Sequence, residues 1–364
     1  MERYQLLDTP ERFADVMAGL NADASWSLDT EFIRERTYFA RLCLVQVAVG
    51  GRILLLDPLQ VENLEPLAAL LRAATVRKVV HAARQDIEVL LPLTGTPMAP
   101  VFDTQTAAGL LGFPAQIGYA DLVRQLLGID LEKGHARTNW AARPLKPEQL
   151  AYAADDVRYL GPAAEELEAR LAAAGRQAWL AEECSLLADP ALYVTHPEDA
   201  WKRFKGIDRM RAEERAVIRI LAAWREERAI SKDLPRGWIL SDDAVRELAR
   251  LRPQSESELQ RVAGLPGAIA TRRAAEVLEL ISRAATEADN DDAIPSADRL
   301  TPEQAAAIRR LQDLLQQVAG EAGISPEVLA TRKDLTALVR GARDIAPLSG
   351  WRREVIGEKL LSVV

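Results

Sequence analysis

The sequence predicts an α/β domain, built on a mixed sheet with flanking helices, followed by two all-α helical bundles. Strand-like stretches rich in Val, Ile and Leu alternate with helical stretches up to Pro147, and strand patterns nearly vanish after it. An acidic, proline-containing segment, residues 286–298, then separates two helical units of similar length. We therefore expect domains over residues 1–190, 207–285 and 299–364.

The strands of the first domain are predicted early in the chain. Residues 26–32, 41–49 and 52–57 have strand composition, and the pair Gly50 and Gly51 is typical of a tight hairpin between the last two. Residues 76–80 predict a short buried strand. Because three strands precede the alternating part, the pattern favours a mixed sheet over a wholly parallel one.

Helical spacing and capping residues place the helices of this domain. Asp103 is well placed to cap a helix, Pro147 stands where a helix would start, and Gly161 with Pro162 is expected to interrupt one. The predicted helices cover residues 62–73, 84–91, 104–111 and 148–160, with a further helix ending near residue 174.

Composition excludes several kinds of protein and of catalytic site. No apolar run among the 364 residues approaches the roughly 20 needed to cross a bilayer, and the charged N-terminus is unlike a signal peptide. Two cysteines, Cys43 and Cys184, provide neither a disulfide framework nor a zinc cluster, which favours a reducing cytoplasm. Phosphate-binding loops, HExxH pairs and GxSxG elbows are absent from the sequence, so we expect no nucleotide cofactor. Carboxylates remain as the candidate catalytic groups.

Two acidic residues alternate on the first of these strands. Asp29 and Glu31, in SLDTEF, are two residues apart, so both side chains point to the same face. Like charges on one face of a central strand repel each other and are costly to bury unless cations neutralise them. The pattern indicates a metal site, or else an exposed strand end at which water hydrates both carboxylates.

Two later segments supply further acidic groups. Asp86, in VVHAARQDIEVLL, lies early in a helix, near the strand end at which α/β sheets tend to place their sites. Tyr152 and Asp156, in EQLAYAADDVRYL, are four residues apart on a helix and share a face, whereas Asp155 points about 100° away. Each segment alone is also typical of surface acids and a core tyrosine.

Together, these segments resemble the DEDD exonuclease superfamily in its tyrosine-bearing branch. The resemblance covers roughly residues 26–171, and the stretches LDTEF, VVHAARQDIEVL, FDTQTAA and TNWAARPLKPEQLAYAADDVRYL are similar to the ribonuclease D family. It implies a ribonuclease H-like fold and hydrolysis of RNA from the 3′ end with release of 5′ nucleotides. In that family the aspartate lies four residues after the tyrosine, which selects Asp156 over Asp155.

The resemblance implies two divalent metal ions, Mg²⁺ or Mn²⁺, which hard oxygen ligands suit better than zinc. Two ions about 3.5–4 Å apart can both activate water and relieve charge on the leaving oxygen. Asp29, Glu31 and Asp156 would hold the ion that activates water. Asp29 would also help to hold the second ion, and Asp86 would act through coordinated waters. Tyr152 would orient the attacking water, since an ordinary tyrosine pKa near 10 makes it a poor base.

Substrate contacts are expected from several polar residues. Gln105 matches a family position near the site. A basic, aromatic-containing stretch precedes the tyrosine-bearing helix and can bind phosphates or form an ordinary charged loop: Lys133, His135, Arg137, Trp140 and Arg143. Residues 201–230, which include Lys202 and Arg203, contain nine Lys or Arg against five Asp or Glu in a chain of net charge −8. They form either a basic binding face or a solvated helix with paired charges.

The two C-terminal units resemble paired HRDC domains, small bundles shared by ribonuclease D and RecQ-type helicases. The first carries the resemblance in IRILAAWREERAISKDLPRGWILSDDAVRELARLRP, and the second, around residues 329–341, fits less closely. Such modules are thought to assist nucleic-acid binding, and bundles of this size can equally serve protein contacts. The resemblance implies RNA 3′ ends, transfer-RNA precursors among them, as substrate. Alternatives are a DNA exonuclease, which would lack a contact to the ribose 2′-OH, and a non-catalytic RNA-binding scaffold.

Overall fold

The computed structural model describes residues 4–20, 25–132, 134, 138–287 and 300–364. Two compact units account for the chain. The first comprises Met1–Ile33, Leu42–Tyr193 and Leu300–Val364, and the second comprises Arg34–Arg41 and Val194–Arg299. Lys133, His135, Arg137 and nearly all of the predicted linker 286–298 lie outside the described residues.

A mixed sheet forms the centre of the first unit. Its strands, among the described residues, are β1 (Gln5–Leu7), β2 (Ser25–Ile33), β3 (Arg41–Val49), β4 (Arg52–Leu56), β5 (Arg77–Val80) and β6 (Val101–Asp103). They are arranged in the order β1-β4-β3-β2-β5-β6. β3 and β4 are antiparallel, whereas β1 with β4, β2 with β5, and β5 with β6 are parallel. Gly50 and Gly51, both at positive φ, form the predicted hairpin turn.

Eight α-helices accompany this sheet in the described part of residues 1–190: α1 (Pro10–Ala18), α2 (Glu65–Arg72), α3 (Arg84–Thr94), α4 (Thr104–Gly109), α5 (Tyr119–Leu127), α6 (Pro147–Arg158), α7 (Leu160–Ala173) and α8 (Gln177–Leu186). Asp103 caps α4, as predicted. The predicted break at Gly161 and Pro162 is displaced, since α7 already begins at Leu160. Pro162 fits there because the N–H groups of a first helical turn have no intrahelical partner. The sequence patterns did not predict β1, β6, α1 or α5.

Alternation along β2 divides its side chains between the two faces of the sheet. Trp26 and Leu28 are fully buried in a core that includes Phe13 and Ile87. Side chains of opposite parity therefore point to the other face, against which α6 and α7 pack. This places Asp29 and Glu31 on the face that the tyrosine-bearing helix covers.

The last segment of the chain belongs to the same compact unit. It forms α15 (Pro302–Ala322), α16 (Pro326–Leu329), α17 (Arg332–Val339), α18 (Gly350–Arg352), a π-helical turn Arg353–Gly357 and α19 (Glu358–Leu361). Its core is continuous with that of the sheet region: Trp351 stacks on Trp179 at 4.6 Å between ring centroids, and Arg352 forms an ion pair with Glu183. The division into three domains at the expected boundaries stays a prediction.

The second unit is helical and has its own core. It contains α9 (Ala212–Lys232), α10 (Arg236–Ile239), α11 (Asp242–Leu251), α12 (Glu256–Leu259), α13 (Gly267–Ala270) and α14 (Ala274–Glu287), preceded by 3₁₀ turns at Pro197–Arg203 and Ile207–Arg209. Leu221, Leu248 and Val277 are among its fully buried residues. The segment Arg34–Arg41 packs within this unit, because the N–H groups of Tyr38 and Phe39 donate to Asp233 Oδ1 at 2.9 and 3.0 Å.

Two further features bear on the sequence predictions. In the part of the chain that the structure describes, no helix has both the length and the apolarity required to span a bilayer. Cys43 and Cys184 are free thiols and both are buried. Burial raises the pKa of the Cys184 thiol to about 11, so it is protonated at neutral pH.

Candidate active site

Three carboxylates converge where β2 faces α6. Asp29 and Glu31 point to the same face of β2, and Asp156 approaches from the helix. Each of the three offers one ligand oxygen such that these atoms all lie within 4.8 Å of one another. Among the described residues, no ion pair joins them to a lysine, arginine or histidine. The structure therefore brings together the pair and the helical aspartate that the sequence singled out.

Asp86 lies in the first turn of α3 and is buried, with 7% of its surface exposed. Thr30, between Asp29 and Glu31 on β2, donates its hydroxyl hydrogen to Asp86 Oδ1 at 2.6 Å. Burial raises the pKa of Asp86 to about 7, although the hydrogen bond from Thr30 acts in the opposite direction. Asp86 is thus attached to the strand that carries the other two acids.

Burial raises the pKa values of all these groups, and the charges of neighbouring carboxylates add to the effect. Burial, followed by the charges of Asp86, Asp156 and Glu31, raises the pKa of Asp29 well above its ordinary value. Burial and the charges of Asp156 and Asp86 raise the pKa of Glu31 to about 9. The pKa of Asp156 is raised to about 7, first by burial and then by Asp155. This pattern marks negative charge that the described protein groups do not neutralise.

Tyr152 lies one helical turn before Asp156 on α6, as the spacing predicted. Burial and the charges of Asp156, Glu31 and Asp29 raise its pKa above the ordinary range, so the phenol keeps its proton at neutral pH. The Trp140 ring is 6.2 Å from the Tyr152 ring at an angle of 34°. A protonated phenol can donate a hydrogen bond but does not accept a proton, so the structure is consistent with the expected orienting role of Tyr152, which stays a prediction.

Asp29, Glu31, Tyr152 and Asp156 line an open cleft of about 420 Å³. Its walls include residues that the sequence reasoning did not assign: Phe32, His81, Gln85, Tyr119, Thr138 and Leu160. His81 lies 2.9 Å from both Thr104 Oγ1 and the Ile117 carbonyl oxygen, and Tyr119 donates its hydroxyl hydrogen to the Asp155 carbonyl oxygen at 3.1 Å. His81 falls within a matched stretch and Tyr119 lies between two of them, and nothing in their local spacing predicts a place in the site.

The predicted substrate-binding residues of the first unit differ in their surroundings. Gln105 Nε2 donates to the Ile117 carbonyl oxygen at 3.0 Å. Arg143 forms a two-point ion pair with buried Asp57, at 2.5 and 2.7 Å, and also donates to the Cys43 carbonyl oxygen at 2.7 Å. These bonds give Arg143 a structural role that the sequence did not indicate. Contact of either residue with substrate stays a prediction.

Lys202 and Arg203 lie in the second unit. Lys202 pairs with Asp199 at 2.7 Å, and Arg203 pairs with the fully buried Glu226 at 2.8 Å. The alternative that the sequence left open, paired charges, thus applies to both residues. Their contact with RNA stays a prediction, as does that of Arg137, which is not among the described residues.

Two family models match parts of this chain. A model described as a 3′-5′ exonuclease matches residues 4–172, and one described as an HRDC domain matches residues 214–281. The fold and the cluster of carboxylates define a 3′-5′ exonuclease with a helical HRDC domain. The second expected HRDC domain, residues 299–364, stays a prediction.

Relatives identify the family. The chain is 41% identical to ribonuclease D of Acidiphilium cryptum, over 98% of this chain and 92% of the relative. It is 32% identical to the crystal structure of Escherichia coli RNase D, described as an exoribonuclease involved in structured RNA processing, with a TM-score of 0.86 over 99% and 98% of the two chains. The chain belongs to the ribonuclease D family and is a 3′-5′ exoribonuclease. The predicted family, fold class and activity are confirmed.

Proposed function

We propose that Asp29, Glu31, Asp86 and Asp156 hold two divalent metal ions, Mg²⁺ or Mn²⁺, and that the enzyme trims RNA 3′ ends there, including those of transfer-RNA precursors. The convergence of three carboxylate oxygens within 4.8 Å of one another carries this proposal. Support for the substrate comes from the relationship to Escherichia coli RNase D, whose structure is described as that of an enzyme of structured RNA processing. Action in the cytoplasm stays a prediction.

The donor set fits such ions. Mg²⁺ and Mn²⁺ prefer carboxylate oxygens, and all four groups are carboxylates. The raised pKa values mean that these carboxylates resist ionisation in the metal-free protein. The positive charge of a bound cation would lower these pKa values and so favour the ionised forms that ligation requires. A divalent cation therefore supplies what this buried acidic cluster lacks.

Bound ions would supply activation of the attacking water and relief of charge on the leaving oxygen. Side chains of the protein would position the metal ligands and orient the attacking water. Thr30 fixes the Asp86 carboxylate beside β2 through its hydroxyl. Tyr152, protonated at neutral pH, is placed to orient a water molecule by hydrogen bonding. Phe32 and Leu160 give the cleft apolar walls suited to a nucleobase.

A direct test compares Asp156→Asn with the neighbouring Asp155→Asn. Asp155 pairs with Arg158 at 2.6 Å and is not one of the clustered ligands, so it serves as a matched control. The substrates are a 3′-extended transfer-RNA precursor, the same RNA with a 3′-phosphate, and a matched single-stranded DNA. We expect Asp156→Asn to lower the rate on the precursor by about a hundredfold or more, and Asp155→Asn to change it by less than about threefold.

The expected pattern also includes dependence on Mg²⁺ or Mn²⁺ and resistance of the 3′-phosphorylated RNA. Equal loss in both aspartate variants, or full activity after rigorous metal removal, would show that the site is assigned wrongly. Preference for DNA over the RNA precursor would refute the proposed substrate while leaving the carboxylate chemistry in place.

A further inference from the structure

The loop between β5 and α3 contains a backbone conformation that its own sequence does not favour. Ala82 has a φ of +59°, in the left-handed region that residues with a Cβ atom adopt rarely. Ala83 follows as the N-cap of α3, and Asp86 lies in the first turn of that helix. The place of Asp86 therefore depends on a turn that other groups must hold.

Asp103, at the end of β6, stabilises that turn by hydrogen bonding. Its carboxylate is buried, with 5% exposed, and its Oδ1 and Oδ2 atoms accept the N–H groups of Ala82 and Ala83 at 3.1 and 2.9 Å. Oδ1 also accepts the N–H groups of Gln105 and Thr106 at 2.9 and 3.2 Å, which caps α4. One carboxylate thus fixes the starts of two helices.

The neighbouring residue holds the other side of the same loop. Thr104 Oγ1 donates to the Val80 carbonyl oxygen at 3.2 Å and lies 2.9 Å from His81 Nδ1. Val80 is also the register partner of Asp103 in the parallel β5–β6 pair. Every residue from Val80 to Ala83 therefore contacts Asp103 or Thr104.

Beyond the loop, α3 presents Asp86 to β2. The Asp86 carboxylate accepts the Thr30 hydroxyl hydrogen at 2.6 Å, and Thr30 lies between the two strand carboxylates. We propose that Asp103 is a positioning residue for Asp86: by holding Ala82 in the left-handed conformation, it fixes the start of α3 and so the distance of Asp86 from the β2 carboxylates. This inference rests on the proposed function, in which Asp86 is a metal ligand.

The first test variant is Asp103→Ser. Serine caps helices well, so α4 keeps its cap, but its side chain is too short to reach the Ala82 and Ala83 N–H groups as well. We expect Mn²⁺ affinity, measured by calorimetry, to fall by about tenfold or more, as is typical when a group that orients a ligand is lost. The kcat on a short RNA should fall by a similar factor with little change in KM. In the metal-free protein, hydrogen exchange at Ala82 and Ala83 should accelerate.

A rescue separates positioning from a general loss of structure. Glycine adopts the left-handed conformation readily, so Asp103→Ser combined with Ala82→Gly should return Mn²⁺ affinity to within about threefold of wild type. If Asp103→Ser does not fold, Asp103→Asn takes its place, because it keeps one acceptor oxygen and loses the other. The same direction of change and the same rescue are expected for it.

The control is Ser241→Ala, which removes the N-cap of α11 in the second unit, where Ser241 Oγ accepts the Ala244 N–H at 3.1 Å. Its Mn²⁺ affinity should equal that of wild type. Wild-type affinity in the Asp103 variants, or a double variant as weak as the single one, would overturn the positioning role. Absence of Mn²⁺ binding by the wild-type protein would instead refute the proposed function.

Discussion

Buried carboxylates occur in both units of this protein, but in opposite electrostatic surroundings. In the first unit, ligand oxygens of Asp29, Glu31 and Asp156 lie within 4.8 Å of one another, and burial, followed by repulsion from neighbouring carboxylates, raises their pKa values. In the second unit, Glu226 is fully buried, yet Arg203 and Arg236 each approach it to 2.8 Å and Tyr38 donates to it at 2.5 Å. Burial alone would raise the pKa of Glu226, but these partners lower it below the ordinary value.

This contrast in neutralisation distinguishes the carboxylates of the proposed metal site from a carboxylate that stabilises the fold. A buried acid that the protein neutralises itself is a structural element, and removing it takes away the ion-pair partner of the surrounding arginines. A buried acidic cluster that the protein leaves unneutralised is unfavourable for folding unless a cation neutralises it, as the proposed metal ions would. The same residue type thus has opposite consequences for stability and activity in the two units.

The largest expected effect follows from neutralising the unneutralised cluster. Asp29→Asn should lower the exonuclease rate by about a hundredfold or more, equivalent to about 2.7 kcal/mol of transition-state stabilisation. Because it removes repulsion, the metal-free variant should unfold at the same temperature as the wild type or higher. Single-turnover kinetics and thermal unfolding measure both quantities. Wild-type activity in Asp29→Asn would contradict the proposed role of the cluster in catalysis.

Glu226→Gln should have the opposite profile. The side chains of Arg203 and Arg236 keep 49% and 39% of their surface exposed, so water can partly replace the lost carboxylate charge and the cost is about 1–3 kcal/mol. We expect the free energy of unfolding of the second unit to fall by about that amount, measured by denaturant titration with a probe in that unit. Glu247→Gln, whose carboxylate pairs with Arg250 on the surface, should change it much less, because exposed ion pairs contribute little to stability. Equal decreases in the free energy of unfolding for Glu226→Gln and Glu247→Gln would show that Glu226 has no special role in stability.

A smaller effect concerns pH. The pKa values of Asp86 and Asp156 are about 7 and that of Glu31 is about 9, whereas all three groups titrate near 4 in an unfolded chain. Between these limits the folded state binds more protons than the unfolded state, so metal-free stability should decline as pH rises from about 5 to about 9. Thermal unfolding in EDTA across this range measures the decline. It should be shallower in Asp29→Asn, and a rise in stability with pH would contradict the assignment.

The sequence predicted the parts of this account that depend on local spacing. A spacing of two residues on a strand places Asp29 and Glu31 on one face of β2, and a spacing of four on a helix places Tyr152 and Asp156 on one face of α6. In the structure, these two faces meet at the carboxylate cluster. Capping of α4 by Asp103 was predictable for the same reason, because the partners of a cap are its chain neighbours.

Other features depend on contacts between distant parts of the chain. The hydrogen bond between Asp103 and Ala82 joins residues 21 positions apart, and the ion pair between Arg143 and Asp57 joins residues 86 positions apart. The helical segment after residue 300 reads as an independent bundle, because its apolar pattern does not reveal that its partner is the sheet region. Spacing along a chain cannot specify such pairings, since they arise only when the fold brings remote segments together.

The most direct test of the central claim is the number of Mn²⁺ ions that bind to the carboxylate cluster. Isothermal titration calorimetry on metal-free protein at pH 8 should give two ions per chain for the wild type. The same titration should show loss of binding in Asp29→Asn and unchanged binding in Glu226→Gln, provided that the latter is folded at the temperature used. Ions that bind equally to wild type and Asp29→Asn, or none that bind to the wild type, would contradict the claim that the unneutralised carboxylates form a metal site.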